Sequence, residues 1–149
     1  MACCETVGIG IEGGTAYEAV MSGLAYPFFG IGLNPGHLMH LDECVHSPMR
    51  KGSHPKLRYG MALQRDIIPG TGTGYFTSDI EDGIALADEA LRDDLASRHP
   101  EAWSNITGRQ RFMREVLGIA LRPEVLPLSS MPARLPPFWL APGKAIVLR

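Results

Sequence analysis

The spacing of apolar and polar positions changes twice along this chain of 149 residues, dividing it into three textures. In the first, glycine and proline break every apolar run: Gly8, Gly10, Gly13 and Gly14, then Pro27, Gly30, Gly32, Asn34-Pro35-Gly36, Pro48, Gly52 and Pro55. Punctuation of that density keeps the elements between breaks short. One helix is predicted there. Thr15 is placed to cap a run through Ala16, Tyr17, Glu18, Ala19, Val20 and Met21, with Glu18 three residues on as its capping-box partner and Gly23 as the end.

The second texture is alternating and β-rich, with strands predicted at 37–45, 61–68 and 75–86, and a glycine-threonine run at 70–74 read as a flexible connection. These predict a small antiparallel or mixed sheet. In the third, apolar residues return at helical spacing. Ala90, Leu91 and Leu95 mark a short helix, and Trp103, Ile106, Phe112, Met113, Val116 and Leu117 mark a helical stretch interrupted near Gly108, with Gly118 as its C-cap. The tail carries Pro123, Pro127, Pro132, Pro136, Pro137 and Pro142 among Leu126, Leu128, Leu135, Phe138, Trp139 and Leu140, so an extended tail that wraps the body is expected. The fold class is α+β, and 1–149 is one domain by length.

Composition narrows the function. Fourteen basic against sixteen acidic residues give a formal net charge of −2, without the basic footprint of a nucleic-acid or anionic-membrane binder. No apolar run approaches the roughly 18 residues that span a bilayer, and the N-terminus lacks a secretion signal, so a cytoplasmic location is expected. Three cysteines, Cys3, Cys4 and Cys44, cannot all pair within one chain, which suits a reducing compartment.

Chemistry concentrates at 37–54, where His37, His40, His46 and His54 interleave with Asp42, Glu43 and Cys44. Imidazole and carboxylate are the usual ligands of zinc, manganese and iron, and alternation in a strand would put His40, Asp42, Cys44 and His46 on one side. A structural zinc site from His37, His40, Cys44 and His46 is a second reading, and a polar loop with surface histidines a third. His54 and His99, each before a proline, read as surface residues, and Arg109, Arg111 and Arg114 as a solvated basic face. Downstream, Asp66 ends a mostly apolar strand before Pro69-Gly70, and Glu81 follows Ile80 in a strand that runs on to Ile84, Ala85 and Leu86, where a charge needs a cation or hydrogen bonds.

Gly36-His37, His46-Ser47-Pro48, Gly60-Met61 through Asp66, and Ile80-Glu81-Asp82-Gly83 follow one another in an order that resembles the C-terminal part of the pita-bread metallopeptidases. The Xaa-Pro aminopeptidase and prolidase-like branch is the nearest likeness. The resemblance implies half of a pita-bread fold: a small curved, mostly antiparallel sheet with helices on one face. It makes His37, Asp66 and Glu81 metal ligands, with Glu81 bridging two ions, and His46 the catalytic imidazole that contacts substrate. It also implies a divalent cofactor (Mn, Co, Zn or Fe), a peptide or small-molecule substrate, no nucleic-acid or membrane partner, and room for a homodimer. The chain departs from the family at Asp66, where the family has Glu, and at the two residues between Asp66 and Pro69. The family takes two further ligands from upstream aspartates, and no Asp precedes Asp42 here. An aminopeptidase-like hydrolase with an incomplete centre is therefore expected, with a non-catalytic homologue binding at most one metal as the alternative.

Overall fold

The computed structural model describes residues 2–24, 30–39, 45–70 and 80–129. Over these, the chain runs α1 (Ala2–Thr6), α2 (Gly13–Gly23), β1 (Gly30–Ile31), β2 (His37–Leu38), β3 (Ala62–Ile67), β4 (Pro69–Gly70), β5 (Ile80–Leu86), α3 (Glu89–Arg98), α4 (Pro100–Arg111) and β6 (Val125–Pro127), with a π-helical turn at Phe112–Val116 after α4. It is an α+β arrangement. Four antiparallel strands form the main sheet in the order β2-β3-β5-β6, and β1 pairs with β4 in a separate two-stranded ladder.

The helix predicted with Thr15 as its cap starts three residues earlier and does without the capping box. Glu12 is its N-cap and provides no side-chain hydrogen bond. Tertiary backbone contacts replace the cap: Gly13 N–H donates to Pro55 O at 2.9 Å and Gly14 N–H to Ser53 O at 2.8 Å. Both residues must be glycine for that approach, since a Cβ on Gly13 would collide with Pro48 O. Asp88 caps α3 through its side chain, accepting from Leu91 N–H at 3.0 Å. The break expected near Gly108 does not occur there. The helix continues to Arg111, and the irregularity falls at 112–116, where Leu117 N–H reaches back five residues to Phe112 O. Gly118, at φ +68°, then ends the helical stretch as expected.

Helices lie on both faces of the sheet rather than on one. Leu63, Ile84 and Leu86 pack into a core with Cys3, Cys4 and Val7 from the N-terminal segment, and with Met113, Leu117 and Ile119. On the opposite face Ala85 and Leu126 meet Leu91 and Leu95 of α3 and Trp103 and Ile106 of α4. The physical reason lies at one end of the sheet, where Ala85 of β5 and Leu126 of β6 leave apolar surface on the side away from Ile84 and Leu86 and need cover of their own. Gln110 fastens α4 to the sheet edge through Nε2, which donates to Val125 O at 2.7 Å and Pro123 O at 3.2 Å. No helix among the described residues is long and apolar enough to cross a membrane. Of the proline-rich tail, Val125–Pro127 forms β6, and 130–149 lie outside the described residues, as do 71–74 of the glycine-threonine run and 75–79 of the strand expected at 75–86.

Candidate functional site

Strand register decides which polar side chains meet. His37 lies opposite Gln64, and Asp66 lies opposite Glu81. Opposed residues share a face of an antiparallel ladder, as do residues two apart on one strand, so His37, Gln64, Asp66 and Glu81 all project from one side. Asp66 N–H donates to Pro35 O, away from β5, at 3.3 Å. Asp66 and Glu81 are thus a pair without ladder hydrogen bonds between them, the closer of the two antiparallel spacings at roughly 4.5 Å between Cα atoms. Two carboxylates so opposed repel each other unless a positive group intervenes.

His37 and Asp66 stand together at the buried end of this row. Nε2 of His37 is 3.8 Å from Oδ2 of Asp66, and the side chains are 11% and 8% exposed. Nδ1 lies 3.1 Å from Leu38 O. A carbonyl accepts only, so Nδ1 carries the proton there, and Nε2 faces the carboxylate oxygen. Metal-ligating histidines are fixed in the same way when their other nitrogen donates to a backbone carbonyl. A separation of 3.8 Å also lies within reach of one ion bound at about 2.0–2.2 Å by each atom. Glu81 is turned elsewhere: it is exposed, and its Oε2 accepts from Gln64 Nε2 at 2.8 Å. Consequently, among the described residues no set of three or more His, Cys, Asp and Glu groups is gathered closely enough to hold a metal ion.

His46 occupies a turn at 45–46 and is exposed. The next residue ties that turn to the site, because Ser47 is buried and its Oγ donates to Gly36 O, immediately before His37. Met49 completes the tether, its side chain filling the space where a Gly36 Cβ would be. His40, Asp42 and Cys44 lie outside the described residues, and with them the one-sided row 40, 42, 44 and 46 and the zinc set. Of the strand expected at 37–45, His37–Leu38 is in β2, and Met39 N–H extends the pairing to Ala62 O at 3.0 Å. His54 is exposed beside Glu12, 3.4 Å away. An open cavity of about 530 Å³ between Ile9 and Tyr59 includes His54, Lys56 and Arg58 and shares no residue with the His37–Asp66 row.

The reverse face holds a second polar group that the motifs did not single out. Arg65 lies opposite Asp82, and Nη2 donates to Asp82 Oδ2 at 2.8 Å with side chains 6% and 8% exposed. Nη1 donates to Cys4 Sγ. Burial works against the guanidinium charge, but Cys4, Asp82 and Cys3 outweigh it and hold Arg65 above its ordinary value. Burial pushes the Cys3 thiol up to about 11, against the pull of Arg65. The signal for this group was present in the sequence. Arg65 precedes Asp66 and Asp82 follows Glu81, so placing the two acids on one face sends their charged neighbours to the other.

No protein-family model matches the chain, and no curated protein is similar to it in sequence.

Proposed function

We propose that this chain carries the metal-binding face of a metal-dependent aminopeptidase-like hydrolase of the pita-bread type, Xaa-Pro branch. The observation that carries the reading is the His37–Asp66 pair: a buried imidazole presents Nε2 to a carboxylate oxygen 3.8 Å away, directly beside a second, opposed carboxylate. One imidazole and two carboxylates are a donor set for manganese, iron, cobalt or zinc. His37 and Asp66 would hold the ion, and Glu81 would join on leaving Gln64. A divalent ion in such a site supplies Lewis acidity for amide hydrolysis. His46, on the turn that Ser47 fastens beside His37, is the imidazole that meets substrate.

The donor count favours one ion in the chain by itself, since Glu81 cannot bridge to a second ion that lacks ligands of its own. Manganese titration followed by electron paramagnetic resonance, with an Xaa-Pro dipeptide and tripeptide hydrolysis assay on the same samples, tests this. One bound ion and no turnover are expected, with His46→Ala leaving the metal affinity unchanged. Two tightly bound ions with measurable turnover would show that Glu12 or a partner chain completes the centre. Absence of any bound ion would remove the metallopeptidase reading and leave the non-catalytic homologue.

A further inference from the structure

We infer that the buried Arg65–Asp82 pair is a positioning device that holds Asp66 opposite Glu81, so that two groups facing away from the site set its geometry. The inference rests on the metal-site reading above for its consequence, but on strand register for its substance. Arg65↔Asp82 and Asp66↔Glu81 are adjacent rungs of the same β3–β5 ladder. Successive side chains alternate between faces, so one rung serves the site and the other is buried behind it.

What the rear rung does follows from the alternatives it excludes. A slip of β5 by one residue would turn every side chain to the wrong face, which the apolar core already forbids. A slip by two keeps the faces and is the real competitor. It would set Arg65 opposite Ile80 or Ile84 and Asp82 opposite Leu63 or Ile67, by counting from the observed pairing. Either slip strands a buried guanidinium and a buried carboxylate without each other, which is strongly destabilising. The same slips would move Glu81 out of register with Asp66, placing Asp79 or Gly83 there instead. In front, the Gln64–Glu81 hydrogen bond favours the observed register while the directly opposed like charges of Asp66 and Glu81 work against it. The attraction behind compensates for the repulsion in front.

The N-terminal helix is part of the device. Arg65 Nη1 donates to Cys4 Sγ, and Glu5 Oε1 accepts from Ala120 N–H at 3.2 Å, so α1 is pinned over the guanidinium from two sides. Cys3 and Cys4, both free and buried, close the rear of the pair.

The test compares the full chain with Arg65→Met/Asp82→Leu, an apolar replacement of similar volume, and with the reversed pair Arg65→Asp/Asp82→Arg. Three quantities are read: the melting temperature, the manganese dissociation constant, and the cross-strand nuclear Overhauser effect between the Hα atoms of residues 66 and 81. The apolar variant should melt close to the parent, yet lose the 66–81 effect and bind manganese about tenfold more weakly, the range seen when groups supporting ligands are removed. The reversed pair should restore both. An apolar variant with the parent's 66–81 effect and manganese affinity overturns the inference. Should that variant fail to fold, the reversed pair decides: recovery of the 66–81 effect supports the role, and its absence in a folded protein overturns it. If the parent itself binds no manganese, the metallopeptidase reading falls while the Overhauser effect still settles the positioning role.

Discussion

Arg65 and Cys3 show how differently two buried groups depend on their partners. Arg65→Met alone leaves Asp82 8% exposed and without its guanidinium, which should destabilise the fold by about 3–5 kcal/mol in urea unfolding. The double replacement should recover most of that, since it removes both charges together. A double variant as unstable as the single would contradict this account of the pair. Cys3 makes a pH-dependent contribution. Its thiol is raised from 9.0 to about 11 in the fold by burial, so the unfolded chain ionises first as pH rises. The contribution is intact below pH 9 and is lost between about 9 and 11, a change of order 2–3 kcal/mol. Unfolding midpoints measured at pH 8 and pH 10.5 should therefore fall more steeply for the parent than for Cys3→Ala. Equal slopes would mean that the thiol ionises as freely in the folded chain as in the unfolded one.

At the scale of elements, stability is borne unevenly. No residue of α3 is buried, so the helix relies on its cap and on partly buried Leu91 and Leu95 against Trp103 and Ile106. Asp88→Ala should lower stability by about 1 kcal/mol and raise amide exchange selectively in 89–98. Gly13→Ala should destabilise more, by about 1–3 kcal/mol, because the added methyl strikes backbone rather than a side chain that can yield. These two residues also mark what the sequence could disclose. Asp88 is a local signal, readable from the residues that follow it, and the strands at 62–67 and 80–86 are readable from alternation and the turns beside them. The start of α2 was not, because its partners are Ser53 and Pro55, some forty residues away. Glycine at 108 suggested a break, but a lone glycine weakens a helix by only about 1 kcal/mol, and α4 has neighbours enough to pass it. The π turn at 112–116 has no sequence pattern of its own.

For the whole molecule, one sheet does two jobs on two faces. The rear is close-packed and holds its charges in a pair, and the front presents like charges beside a histidine whose Nε2 faces Asp66. The ordered motifs pointed to His37, Asp66 and Glu81, and alternation puts all three on one side of the sheet, with Glu81 turned to Gln64 rather than gathered with the other two. Gln64 was not legible as the group that restrains Glu81, because its reach depends on the β3–β5 register rather than on its neighbours in sequence. Helices on both faces were likewise hidden, since α1 meets the sheet through contacts such as Arg65 with Cys4, sixty-one positions apart.

The central claim is that His37 and Asp66 hold one divalent ion, and calorimetric titration of the full chain with manganese tests it most directly. One saturable site is expected, weakened by about tenfold or more in His37→Ala and in Asp66→Asn while the far-ultraviolet circular dichroism is unchanged. Heats that do not saturate in the parent, or identical isotherms for the parent and both variants, would contradict the account.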